Sequence, residues 1–126
     1  MPAMLEHTNL TVSNPDTTAA WMCDLFGWHI RWAGNAMEAG RTVHVGTDTH
    51  YLALYTQDAA AKGTESSYAT IGGLNHIAIV TDNLEQIEAG ARARGFEVGQ
   101  HYDYEPGRRF YFHDDDNIEF EVVQYD

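Results

Sequence analysis

The sequence predicts an α+β fold built from two βαβββ modules within a single domain, and three observations carry that prediction. The chain repeats itself: "MLEHTNLTVSN" (4–14) returns in altered spelling as "GLNHIAIVTDN" (73–83), with His7 and His76 lying 69 residues apart. Each copy then opens a helix behind polar capping residues and stops it at a glycine. Two alternating runs close each copy, "GRTVHVGTDTHYLALY" (40–55) and "GRRFYFHDDDNIEFEVV" (107–123).

The elements follow in order. Leu5 aligns with Leu74 and Leu10 with Ile79, so both first strands share one apolar pattern. Ser13-Asn14-Pro15-Asp16 and Asp82-Asn83 supply oxygen acceptors for free N–H groups, and Pro15 suits a first helical turn. Trp21, Met22, Leu25 and Phe26, then Leu84, Ile87 and Ala91, recur at helical spacing before Gly27 and Gly95. "WHIRWAG" (28–34) and "FEVGQHY" (96–102) read as the second strands. Module one is expected over 1–56 and module two over 73–126, joined by a small, polar linker at 57–72.

Strand alternation sorts the side chains. Val43, Val45, Leu52, Leu54, Phe110, Phe112, Phe120 and Val122 are expected beneath the helices. The opposite faces carry His7, Asn9, Thr42, His44, Tyr51 and Ala53 in one copy, and His76, Ala78, Arg109, Tyr111, Glu119 and Glu121 in the other. Those faces are unusually polar.

Composition narrows the partners. Nineteen acidic against seven basic residues give a formal charge of −12, a field that repels phosphate backbones and anionic lipid. Nucleic acid and membrane surfaces are therefore not expected as partners; a small-molecule substrate is. The single cysteine, Cys23, excludes an intrachain disulfide framework and a cysteine-rich zinc site, and reads as a core residue. Lacking a membrane-length apolar run or a leader pattern, the chain is expected in the cytoplasm.

Paired βαβββ units, a His opening each, and "DDDNIEFEVV" (114–123) closing the second resemble the vicinal oxygen chelate superfamily. That group includes glyoxalase I, fosfomycin-resistance thiol transferases, extradiol dioxygenases and bleomycin-binding proteins. The usual Asp-Pro-Asp-Gly turn stands here as Asp114-Asp115-Asp116-Asn117; Asn tolerates the left-handed conformation that Gly would adopt. The resemblance implies curved mixed sheets enclosing a metal-site cavity, one divalent ion (Fe, Mn, Ni, Co or Zn) and a homodimer. It assigns His7, His76 and Glu121 as the metal ligands. A fourth ligand, a second carboxylate in glyoxalase I, falls on Ala53.

Two imidazoles and one carboxylate leave coordination positions for a substrate presenting two adjacent oxygens. The expected chemistry is a glyoxalase-like lyase or isomerase reaction, or extradiol ring cleavage; the alternative is a non-catalytic binding protein of the bleomycin-sequestering type. Glu121 could also move a proton, Tyr111 could hydrogen-bond a substrate oxygen, and His44 could act as a neutral base or merely line the cavity. Asn9, Tyr51 and Trp32 are candidate substrate contacts. Arg109 could clamp a carboxylate or pair with Glu119, which itself reads first as a rim residue, and otherwise as a partner behind the ligands or a substitute ligand.

Overall fold

The computed structural model describes residues 1–36, 40–57, 62–63, 67–104 and 106–125. The chain divides into two compact units, Met1–Lys62 and Gly63–Asp126. Of the expected linker, residues 58–61 and 64–66 lie outside the described residues, while Ser67–Ala69 forms a 3-10 turn within the second unit.

Unit one runs β1 (His7–Thr11), α1 (Pro15–Phe26), β2 (His29–Asn35), β3 (Arg41–Gly46) and β4 (Tyr51–Thr56). Unit two repeats the series as β5 (Ile77–Val80), α2 (Leu84–Ala93), β6 (Glu97–Tyr104), β7 (Gly107–His113) and β8 (Glu119–Tyr125). The strand orders are β1-β4-β3-β2 and β5-β8-β7-β6. In each sheet the last three strands form an antiparallel meander, and its final strand lies parallel to the first. Parallel neighbours cannot be joined by a hairpin, so the helix carries the chain across the sheet before the meander returns.

The helix ends obey the sequence signals. Asn14 and Asn83 accept the N–H groups of Thr17 and Gln86, each three residues on. Gly27 takes a left-handed φ of 71° and donates its N–H to the Cys23 carbonyl. Cys23 itself is only half-buried, at the margin of the core assigned to it. A tie between strand and helix, which no local sequence signal announces, occurs in both units. Arg41, opening β3, grips Asp16 in the first turn of α1 through a two-pronged contact of 2.7 and 2.9 Å. In unit two Arg108 reaches Glu85 at the matching places. Each third strand is thereby fastened to the acidic start of its helix.

All eight residues assigned to the helix-covered faces are buried. In unit two the rings of Phe96, Phe112 and Phe120 stack at centroid distances of 5.8 and 5.1 Å, with their planes nearly parallel. Burial on this scale contributes roughly 2–3 kcal/mol per large apolar side chain.

The β7–β8 turn is built by Asp114. Its Oδ1 accepts the N–H groups of Asp116 and Ile118, both at 3.0 Å, and Asn117 adopts φ 60° as expected of a glycine substitute. Burial pushes the Asp114 carboxyl up to about 6, although those N–H donors pull the other way. An acid whose pKa rises on folding takes up a proton in the folded state, so its contribution declines as pH climbs from about 4 through about 6. Asp114→Asn keeps the acceptor without the charge. Its melting temperature, followed by circular dichroism, is expected to match the wild type near pH 4 and to exceed it by a few degrees at pH 7. A difference independent of pH would contradict this account.

Candidate active site

On the open face of unit one, the strands align a row of rings. His7 lies opposite Tyr51, and their rings stack at 4.9 Å with 17° between planes. Tyr51 stacks in turn on His44 at 4.6 Å, and His44 meets Trp32 at 5.1 Å. The cross-strand partner of His44 is Ala53, as it is for Asn9. With only a methyl group at 53, the His44 ring extends over to Tyr51, its diagonal neighbour. The Arg31 guanidinium sits 4.3 Å above the Tyr51 ring, next to a register shift between Ile30 and Trp32. Asn9 and Trp32 are exposed.

Glu6 anchors the far end of this row. Its Oε1 lies 2.9 Å from His7 Nδ1 and accepts the Tyr51 hydroxyl at 3.3 Å. A proton on Nδ1 leaves Nε2 of His7 carrying the lone pair. Burial lowers the pKa of His44, with His7 and Arg31 acting in the same direction, so the ring is neutral at pH 7.

Unit two gathers charge where unit one gathers rings. Glu121 sits on β8, an inner strand, only 7% exposed. Its Oε1 lies 3.0 Å from His76 Nε2, and its Oε2 accepts Arg109 Nη1 at 2.9 Å. Tyr111 lies directly across from Glu121 on β7. The Tyr111 phenol is raised above its ordinary value, first by burial and then by Glu121. Arg109 thus pairs with Glu121 rather than Glu119, and lies 4.7 Å over the Tyr104 ring. Its Nε and Nη2, the other prong of the guanidinium fork, are buried without an acceptor.

His76 repeats the arrangement of His7. Its Nδ1 is held by the preceding residue, here through Asn75 Oδ1. With the proton on Nδ1, Nε2 is an acceptor facing Glu121 Oε1, another acceptor, at 3.0 Å; with a proton on Nε2 the contact is a hydrogen bond. Two lone pairs at that distance repel unless a proton or a metal ion lies between them. A histidine that donates through one nitrogen and offers the other is the usual form of a metal ligand. The donor set of nitrogen and carboxylate oxygen therefore fits a divalent ion. Within neither unit do three His, Cys, Asp or Glu side chains converge as a complete metal site among the described residues.

Several participants escaped the sequence reading. Glu119 is not an exposed rim residue; its side chain is 16% exposed, accepts the Tyr68 hydroxyl, and approaches both His76 and His113 at 3.8 Å. That hydrogen bond to Glu119 pushes the Tyr68 phenol up to about 12. Tyr68 stood as one aromatic in a polar linker and gave no periodic signal. Tyr102 and Tyr104 did give one, two residues apart on β6 and so on one face. With Tyr68, Tyr111, His113 and Glu119 they line a cavity of about 410 Å³ inside unit two.

The architecture and the polar faces define a class, and sequence comparison names it. The chain belongs to the Glyoxalase/Bleomycin resistance protein/Dioxygenase superfamily, whose family model matches residues 4–122. A glyoxylase/bleomycin resistance protein/dioxygenase domain from Frankia sp. EAN1pec shares 18% identity over the whole of both chains, with a TM-score of 0.84. The genomically encoded fosfomycin resistance protein FosX of Listeria monocytogenes shares 20% identity over 100% of this chain and 96% of its own, with a TM-score of 0.70. A point mutant of that protein, complexed with Mn(II) and 1S,2S-dihydroxypropylphosphonic acid, superposes with a TM-score of 0.74 at 20% identity, over 98% and 93% of the two chains. At such identities the likeness is one of fold. No curated protein matches the sequence. Among the described residues, no helix is long and apolar enough to cross a membrane.

The ring row makes a checkable statement about His44. In a proton NMR titration its ring resonances are expected to shift at a pH below 6.5, the ordinary value. Arg31→Gln removes one positive neighbour and is expected to move that midpoint upward. A midpoint at or above 6.5, unchanged by the substitution, would contradict the assignment.

Proposed function

We propose that this chain is a metal-dependent enzyme of its superfamily, acting on a small substrate held through two adjacent oxygens. His7, His76 and Glu121 are the ligands in this reading. The observation that carries it is the repeated histidine: at both places Nδ1 is engaged by the preceding residue, so that Nε2 is presented as a lone-pair donor. His76 adds a carboxylate oxygen 3.0 Å away. A bound divalent ion, of the Fe, Mn, Co, Ni or Zn type, supplies a Lewis acid that polarises a substrate oxygen. The Mn(II) bound by FosX is consistent with that range.

The chain's own groups supply the rest. His44, neutral at pH 7, takes a proton from the substrate as general base. Tyr111, whose phenol stays protonated, donates a hydrogen bond to a substrate oxygen. Asn9, Tyr51 and Trp32 contact the substrate from unit one. Arg109 holds the Glu121 carboxylate in place through Oε2, leaving Oε1 for coordination. The reaction is a glyoxalase-like lyase or isomerase step, or extradiol ring cleavage, and the working form is a homodimer.

One observation favours a second reading, a non-catalytic binding protein of the bleomycin-resistance type. Arg109 already gives Glu121 a positive partner, which would let the carboxylate stand without a metal. Metal analysis of protein purified without chelator separates the two. The wild type is expected to carry close to one divalent ion per chain. His7→Ala, His76→Ala and Glu121→Ala are each expected to weaken metal affinity by about tenfold or more. Equal metal content in all four proteins would end the metalloenzyme reading. Given metal, turnover of a catechol under oxygen or of the glutathione–methylglyoxal adduct chooses the reaction.

A further inference from the structure

The tyrosine cavity of unit two is not explained by metal chemistry. Its walls are four phenol rings, Tyr68, Tyr102, Tyr104 and Tyr111, with the Glu119 carboxylate among them. Tyr102 stands at 74° to Tyr104 and at 83° to Tyr111, with centroids 6.3 and 5.9 Å apart. Rings set at such steep angles form the corners of a box and do not stack into a closed layer. Tyr68, Tyr102 and Tyr104 are between 42% and 61% exposed, an unusual outlay of aromatic surface to leave in water.

No Lys or Arg is among the cavity's lining residues; the carboxylates of Glu119 and Glu97 are, together with one imidazole, His113, 3.8 Å from Glu119. The nearby Arg109 is engaged with Glu121, and its positive face already covers one side of Tyr104. That contact shows the Tyr104 ring holding a cation. The Tyr68 hydroxyl donates to the Glu119 carboxylate, which places an anion at the cavity wall. A charge of −12 on the whole chain adds to it. Aromatic faces and carboxylates together attract organic cations, which the π-faces bind and the carboxylates neutralise. A volume of about 410 Å³ admits a small-molecule arm and falls in the usual range of ligand pockets.

We infer that this cavity binds the positively charged ammonium arm of a small organic ligand, and so selects amine-bearing substrates for the adjoining site. Tyr111 joins the two, lining the cavity and lying directly across the strand pair from Glu121. The inference deepens the proposed function and, for the link to catalysis, rests on it. The ligand it describes has two adjacent oxygens and a protonated or quaternary amine. It does not describe an anionic phosphonate, which the same carboxylates would repel.

Three probes of similar size separate charge from shape: benzyltrimethylammonium, benzyl alcohol and benzenesulfonate. Each is titrated by calorimetry into the intact, chelator-stripped protein, so that metal plays no part. The cation is expected to bind about tenfold or more tightly than the other two. Tyr102→Leu and Glu119→Gln, each checked for folding by circular dichroism, are expected to weaken the cation about fivefold or more. Benzyl alcohol should change little with Glu119→Gln. Equal affinities for the three probes, or no cation binding at about 10 mM, would overturn the inference, as would cation binding indifferent to both variants. Cation binding by a protein that takes up no divalent ion on metal analysis would end the metalloenzyme reading and leave this one standing.

Discussion

Parallel pairing of the first strand with the last organises each unit, and the register of that pairing fixes both the core and the site. In unit two Ala78 lies opposite Glu121, which brings His76, two residues earlier and on the same face, to 3.0 Å from the carboxylate. Side chains alternate, so a slip of one residue would turn Glu121 toward α2 and expose Phe120 and Val122. The stack of Phe96, Phe112 and Phe120 opposes that slip with three buried rings. The hydrophobic packing thus also presents the carboxylates. No separate device is needed to aim them.

Much of this arrangement is legible before folding. The repeat, the capping asparagines, the terminating glycines and the buried faces all follow from local rules about spacing and backbone conformation. Asn117 could be foreseen with a positive φ because few other residues tolerate one. What the sequence hides are choices among neighbours brought together from a distance. Arg109 had two glutamates within reach on one strand, and only the cross-strand geometry selects Glu121. Glu119 looked like a rim residue because its cover, Tyr68, comes from a segment about fifty residues earlier with no periodicity of its own. The ring row of unit one required the methyl group at Ala53, which shows in the sequence only as a missing carboxylate.

Position 53 and its counterpart 121 also explain how the halves diverged while keeping one backbone plan. Both lie on the inner strand beside the first, facing a third-strand residue, His44 or Tyr111. A carboxylate at 121 demands a counter-charge in a nearly water-free place, since an unpaired buried charge is costly, and Arg109 supplies it. Alanine at 53 makes no such demand, and the space goes to stacked rings. Charge therefore accumulates on one unit and polarisable, near-neutral surface on the other.

That division has a chemical consequence. A general base must be unprotonated at working pH, and an imidazole beside an anionic carboxylate is pushed toward the protonated form. His44 avoids this: burial, His7 and Arg31 all lower its pKa, and only Glu6 opposes them. A Glu at 53, across the strand from His44, would add the opposing charge at close range and raise it. The absence of the second carboxylate is then no simple loss of a ligand. It lets His44 stay unprotonated at neutral pH, although as a weaker base than a carboxylate-backed imidazole would be.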